Sequence, residues 1–317
     1  MKFNFDFEAP VAEIEKMVEK LKGLSGKETG DFNKQIAEME KKVEAKKEEI
    51  YSNLTPWQTV QIARHPERPI FVDYIERLFT DFVELHGDRR FSDDSAMVGG
   101  FAKLGKIPVM IIGHNKGKNV GEKVKNNFGM AKPDGYRKAL RLMELAQKFN
   151  VPIITFIDTA GAYPGLDAEE RGQAEAIARN LTEMAKLTVP VVALVTGEGG
   201  SGGALGIGVG DSILMLSHSV YSVISPEGCA SILWRDGKFA STAAEALKIT
   251  APSLVELGVI DEVIEEPIGG AHNDIDATIK NVEKVLKKHI TKLKKLSPAK
   301  LVAKRFEKYS KIGKFNK

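Results

Sequence analysis

Residues 197–203 read Gly-Glu-Gly-Gly-Ser-Gly-Gly, and a second small-residue turn, Thr159-Ala160-Gly161-Ala162, lies upstream. Glycine lacks a Cβ, so such backbone adopts positive φ and brings its N–H groups close to a ligand. Donors fixed in this way stabilise negative charge as it develops on an oxygen, and an oxyanion cradle is the chemistry this run suits. Two other motifs fit the same glycines. Gly197-x-Gly199-x-x-Gly202 matches a dinucleotide fingerprint, but no acidic residue lies in the next strand, around 217–223. Gly199-x-Ser201-x-Gly203 matches a nucleophile elbow, with Asp261 and His272 following in hydrolase order. The bland alternative is a tight strand-to-helix turn in which Ser201 is only small.

The element that must carry the turn is a strand. After Pro190, residues 191–196 are apolar or β-branched without interruption, as in a parallel strand covered on both faces. Residues 151–161 align without gaps on 189–199, a period of 38, and a looser copy spans 107–113. Repeated strand-turn-helix units predict a layered α/β core, with Gly161 and residues 199–203 converging beyond the carboxyl ends of the strands.

Three longer runs carry a family resemblance. Residues 157–165 (IDTAGAYPG), 197–205 (GEGGSGGAL) and 221–234 (YSVISPEGCASILW) resemble the carboxyltransferase α subunits of bacterial multi-subunit acetyl-CoA carboxylase. Residues 54–58, 85–89, 129–139 and 267–272 extend the resemblance to about residue 272. It implies a crotonase-like (ClpP/crotonase) α/β superhelix of repeated ββα units. Around this carboxyltransferase core (55–272), apolar periodicity places an N-terminal helical hairpin (1–54) and a long basic C-terminal helix (273–317).

The implied reaction moves a carboxyl group from carboxybiotin, borne on a separate carrier protein, to acetyl-CoA, forming malonyl-CoA for fatty acid synthesis. Gly202 and Gly203 are then expected to donate backbone N–H groups to the biotin ureido oxygen, with Gly199 and Gly200 shaping the turn. Gly161 and Ala162 would line its wall, and Arg137 and Lys138 would reach substrate. Implied partners are a β subunit bearing a zinc ribbon, in an α2β2 heterotetramer, the biotin carboxyl carrier protein and biotin carboxylase. No metal is expected in this chain. Glu198 and Glu227 are alternative acid–base groups, although each could accept backbone hydrogen bonds in its own turn, and the ureido nitrogen could itself take the thioester's proton. The rival readings are a crotonase-type enoyl-CoA hydratase or isomerase and a non-catalytic carboxylase scaffold.

With 317 residues, 43% of them hydrophobic, the chain can bury one large core. Its single cysteine, Cys229, excludes an internal disulfide framework and a zinc ribbon. No apolar run reaches spanning length, so a soluble, cytoplasmic protein is expected. Charge is uneven: residues 280–317 hold 14 Lys or Arg against two acids, leaving 32 against 41 in the remainder. Such a tail could meet an acidic partner or nucleic acid, but it lacks interleaved aromatics and reads as a solvated helix face.

Periodicity predicts a hairpin of helices at 11–24 (Ile14, Met17, Leu21, Leu24) and 33–54 (Ile36, Met39, Val43, Ile50, Leu54), joined through 25–30 and broken at Thr55-Pro56. A helix near 71–85 and a hairpin of strands at 101–104 and 107–112 follow. The loop at 114–132 carries Lys116, Lys118, Lys123, Lys125 and Lys132 ahead of a helix opened by Pro133, a setting that could hold the phosphates of coenzyme A. That helix would bury Tyr136, Leu140, Met143 and Phe149. His86-Gly87-Asp88-Arg89-Arg90 reads as a loop held by an Arg–Asp pair. A helix at 168–187 (Ala174, Ile177, Leu181, Met184, Leu187), strands at 212–216 and 220–224, and a turn at 225–228 come next. Segments at 243–248, 252–257 and 259–264 complete the core. A final helix at 274–308, interrupted at Pro298, is expected to pack on another subunit.

Overall fold

The computed structural model describes residues 5–25 and 32–313. Eight strands form one sheet: β1 (Thr80–Glu84), β2 (Met97–Leu104), β3 (Ile107–His114), β4 (Ile153–Thr159), β5 (Val191–Gly200), β6 (Ser212–Leu216), β7 (Val220–Ser222) and β8 (Glu262–Ile264). Their order is β1-β2-β3-β4-β5-β6-β8, with β7 paired to β5 off that path. The pairs β1/β2 and β2/β3 are antiparallel, and the remaining named pairs are parallel. The repeat at 151 and 189 is therefore two adjacent strands in register, Ile153 opposite Val191. Every residue of β4 is buried, which is why its sequence lacks polar alternation.

Successive side chains of these strands feed two cores. Ile153, Ile157, Val191, Ala193 and Val195 pack with Tyr136, Leu142 and Met143 of the helix Pro133–Lys148 and with Met184 of the helix Gln173–Lys186. Ile154, Phe156, Val192 and Leu194 face Phe71 and Tyr74 of the helix Phe71–Leu78 and Val282, Leu286 and Ile290 of the helix Ile275–Leu293. Strand β5 does double duty. Its first half pairs with β4 and β6, while Glu198–Gly200 pair with Val220–Ser222 of β7.

Several expectations need correction. The helix at 71 stops at Leu78, and residues 80–84 form an edge strand. Gly100 permits this pairing, because a Cβ there would stand 2.0 Å from the Val83 carbonyl oxygen. The loop at 114–132 contains a short helix, Val120–Lys125, capped by Asn119. The helix expected at 168–187 is two, Leu166–Glu170 and Gln173–Lys186, separated at Gly172 with φ +82°. The second buries Ala176, Asn180 and Met184, while Ala174 faces solvent. Phe149 is 60% exposed, because the helix before it has already ended at Lys148. Residues 225–228 do not form an isolated turn: Ser225 caps the helix Pro226–Trp234 by accepting the Gly228 N–H at 3.1 Å.

The N-terminal helices run Ala9–Ser25 and Phe32–Tyr51, with Val11 and Val18 buried where Met17 is 52% exposed. Thr55-Pro56 ends the hairpin by starting a new helix, Pro56–Ala63. The side chain of Leu24 and the link at 26–30 lie outside the described residues. Tyr51 holds the hairpin to the core: its hydroxyl donates to Glu8 at 2.6 Å and its ring meets His218 edge-on.

The C-terminal segment is two helices, Ile275–Leu293 and Pro298–Ser310, with Ser297 capping the second. Both pack against the rest of their own chain through Val282, Leu286, Ile290 and Leu301. Arg305, 1% exposed, donates to both oxygens of Asp211 and to the carbonyls of Met184 and Leu187. Among the described residues no helix is long and apolar enough to cross a membrane.

Candidate functional site

The glycine turn sits where β5 ends and the helix Ser201–Leu205 begins. Ser201 has φ +51°, an uncommon left-handed conformation for a residue with a side chain. Close approach explains three of the glycines, two of them against backbone and one against a ring. A Cβ on Gly203 would lie 2.4 Å from the Gly161 carbonyl carbon and 2.6 Å from the Ala162 nitrogen, and one on Gly200 would lie 2.2 Å from the Ala160 oxygen. Gly199 is pressed against the Tyr221 ring, where a Cβ would come within 2.6 Å. Gly202 differs, since its Cβ would make only an ordinary 3.5 Å contact with Ile177. The two small-residue turns, 160–162 and 199–203, thus meet backbone to backbone. Gly202 and Gly203 occupy the first turn of their helix, where N–H groups have no intrahelical acceptor and the helix end favours negative charge.

Beside the ends of β4 and β5 lies a cavity of about 580 Å3, lined in part by Arg64, Lys116, Lys123, Phe128, Ala160 and Glu198. A chain of ion pairs frames it. Arg64 Nε donates to Glu198 at 2.7 Å, and the same guanidinium holds Glu227 at 2.5 and 3.3 Å. Lys116 pairs with Asp158 at 2.6 Å and lies 3.6 Å from Glu198. Asp158 also accepts the Glu198 N–H at 2.9 Å, and it occupies the space a side chain at Gly197 would need. Deeper, Arg68 donates to the Thr196 carbonyl of β5 and binds Glu266 through both terminal nitrogens.

Electrostatics keeps these groups charged. Burial would push the Glu266 carboxyl up, but Arg68 outweighs it and holds it well below the ordinary glutamate value. Burial opposes the Lys116 charge, yet Asp158 and Glu198 hold its ammonium above the ordinary value. Burial also works against the Glu227 charge, and Arg64 prevails, leaving the carboxyl lowered. His114 is driven to about 3, first by burial and then by the charge of Lys116. Glu198 and Glu227 both take the Arg64 guanidinium as partner, Glu227 in addition to its own backbone N–H and the Ser225 hydroxyl, and an ion-paired carboxylate is a poor general base.

The other expected residues fall elsewhere. Arg137 Nε donates to Asp88 at 2.7 Å and lines a separate cleft. Asp88 gathers the N–H groups of Arg90, Phe91 and Ser92, so the 86–90 loop is held by an Arg–Asp pair whose arginine is Arg137, outside that loop. Lys138, 1% exposed, spends its ammonium on Asp93 and the Asp94 carbonyl. Those contacts take up its ammonium inside the fold. In the basic loop, Lys116 pairs with Asp158, Lys118 with Asp73 and Lys132 with Asp167, which leaves Lys125 and, lining the cavity, Lys123. The elbow reading fails on geometry. Asp261 accepts the Ile213 N–H and pairs with Lys308, while the His272 ring stacks on His65 with centroids 3.6 Å apart. Cys229 is buried.

Arg64 and Asp158 escaped the sequence reading, and Lys116, read there as a phosphate ligand, is an ion-pair partner of Asp158. The one local signal was Asp158, a lone carboxylate closing an apolar strand. Among the described residues no group of three or more His, Cys, Asp or Glu is placed to hold a metal ion.

The profile of the acetyl co-enzyme A carboxylase carboxyltransferase-like family matches residues 4–313. The chain is 57% identical over 313 residues to the acetyl-coenzyme A carboxylase carboxyl transferase subunit alpha of Geobacter metallireducens, covering 99% of this chain and 98% of that one. It is 59% identical over 310 residues to the subunit of the same name from Bacillus cytotoxicus, covering 98% and 96%. Among solved structures it resembles transcarboxylase 12S with a TM-score of 0.57 at 18% identity, over 72% of this chain and 44% of that chain. A Pseudomonas malonate decarboxylase hetero-tetramer in complex with coenzyme A gives 0.56 at 14%, over 68% and 86%. The family match together with these likenesses gives the crotonase-related carboxyltransferase fold.

Proposed function

The chain belongs to the acetyl-CoA carboxylase carboxyltransferase family, and from that membership we infer that it is the α subunit of the component that carboxylates acetyl-CoA to malonyl-CoA. The observation that carries the site assignment is the contact of Gly203 with Gly161 and Ala162, which leaves a cradle that any larger residue would fill.

Carboxybiotin, delivered on a separate carrier protein, supplies the carboxyl group. This chain's part is to hold the ureido oxygen at the N–H groups of Gly202 and Gly203, where negative charge grows as the carboxyl group departs. Arg64 and Lys116 keep Glu198 fixed, and Glu198 is the residue before Gly199, so the ion pairs set the direction of the turn. The proton leaving the thioester methyl group needs no base from this chain if the ureido nitrogen is held against it. A zinc-ribbon β subunit supplies the matching donors for the thioester oxygen in an α2β2 assembly, with carrier protein and biotin carboxylase as further partners. An enoyl-CoA hydratase would need a free carboxylate beside the acyl group, and both candidates here are ion-paired to Arg64.

The test is malonyl-CoA formation from carboxybiotin and acetyl-CoA, by this chain alone and with a zinc-ribbon β partner. Activity confined to the mixture is the expected result. Activity of the chain alone would overturn the division of labour, and none in either would favour a scaffold.

A further inference from the structure

The helices Pro133–Lys148 and Gln173–Lys186 meet the loop carrying Asp88 at a cleft of about 200 Å3, where five arginines gather: Arg89, Arg90, Arg137, Arg141 and Arg179. Asp88 neutralises Arg137. Among the described residues the other four form no ion pair with a carboxylate. Arg89 and Arg141 donate instead to the carbonyls of His86 and Gly87, which orients their guanidiniums without cancelling charge. Glu144 and Glu175 share the cleft, so five cations stand against three carboxylates. Burial, and then the charge of Arg89, lower the Arg141 pKa, as expected where cations crowd.

A second observation points to a ligand. Asn180 lines the same cleft and is 1% exposed, and its amide nitrogen donates to the carbonyls of Tyr136 and Gly206 at 2.9 and 2.8 Å. Those two bonds settle which end of the amide is which. They leave its buried Oδ1 with no hydrogen-bond donor, and such an acceptor costs stability unless something donates to it.

We propose that this cleft binds a phosphorylated ligand of the nucleotide class, its phosphate held by Arg90, Arg141 and Arg179 and one hydroxyl or amino hydrogen accepted by Asn180 Oδ1. Guanidinium forks match phosphate oxygens two at a time. The ligand has two possible sources: the nucleotide end of coenzyme A, which rests on the function proposed above, or a free nucleotide. Because Asn180 also holds Gly206, just after the glycine helix, occupancy reaches the turn through one side chain.

The experiment titrates the full chain with adenosine 3′,5′-bisphosphate, then repeats the titration with a variant carrying Arg90→Glu and Arg179→Glu. Both side chains are exposed, so the variant should fold, and Arg179→Lys serves as the conservative control. Saturable binding that weakens at least about tenfold in the double variant and in high salt, but only partly in the lysine variant, is expected. No binding, or binding indifferent to the substitutions, would overturn the proposal. The source follows from activity of the assembled enzyme. A KM that rises for acetyl-CoA but not for acetyl-pantetheine, which lacks the nucleotide, identifies the substrate's own phosphates; lost binding with both KM values unchanged identifies a free nucleotide. Carboxyl transfer absent from every preparation while binding persists would count against the functional reading and leave the cleft standing.

Discussion

Arg64 grips Glu198 at 2.7 Å across 134 residues of sequence, and with its remaining nitrogens it takes Glu227 as well. One guanidinium therefore joins the strand that becomes the glycine turn to the first turn of the helix Pro226–Trp234.

Replacing Arg64 with alanine leaves Glu227 without its cation and Glu198 with only Lys116, 3.6 Å away. Steady-state carboxyl transfer by the assembled enzyme should fall about 10- to 100-fold in kcat, since the bonds lost to charged groups are worth about 1.5–3 kcal/mol. Arg64→Lys should restore part of it. A loss of thermal stability with unchanged kcat would show that the clamp only holds the fold.

Gly203 and Gly202 should separate sharply. Gly203→Ala drives a Cβ into the Gly161 and Ala162 backbone and should lower the transfer rate by about 100-fold or more, the scale of losing an oxyanion donor. Gly202→Ala meets only Ile177 at 3.5 Å and should keep the wild-type melting temperature. Comparing rate and melting temperature for both variants checks the cradle.

Arg305→Ala should destabilise the chain by about 3–5 kcal/mol, because it strands Asp211 and several carbonyls in the interior. Denaturant unfolding measures this. The KM for acetyl-CoA should not change, since Arg305 lies in the C-terminal helix Pro298–Ser310 and its contacts are all structural.

Acid should unfold the protein in part through His114. Its pKa falls from 6.5 unfolded to about 3 folded, so the unfolded chain binds the extra proton first. This stability is complete above 6.5 and drains as pH drops toward about 3, at about 1.4 kcal/mol per pH unit. Glu266 acts at lower pH: its folded pKa lies below the ordinary 4.5, so the stability it contributes is present above 4.5 and is lost as pH falls through the depressed value. Unfolding free energy measured against pH should show a shallower slope between 6 and 4 in His114→Asn than in the wild type.

A fluorophosphonate probe should leave Ser201 unlabelled. Lys308 occupies Asp261 and His65 stacks on His272, so no relay forms behind the hydroxyl. Stoichiometric labelling would revive the hydrolase reading.

Much of the architecture was legible because it is local. Uninterrupted apolar runs announce buried parallel strands, the glycine run announces the strand-to-helix turn, and Pro298 announces the break in the last helix, since each depends on the conformational limits of nearby residues. Local pattern misled where an element's end was set by what it packs against. Residues 80–84 join a sheet because Gly100 leaves room for them, and Phe149 is exposed because its helix ends one residue earlier.

The sequence by itself determined the strands, the glycine turn and, through its long motif runs, the family. Only the tertiary structure decided what the charged residues do. Lys138 and Arg137 stand in a motif that suggests substrate contact, yet they are consumed by Asp93 and Asp88, while Arg64, in an unremarked segment, reaches Glu198 and Glu227. The reason is physical: a buried charge goes wherever a countercharge lies within a few ångströms, and that partner is chosen by how distant strands and helices pack.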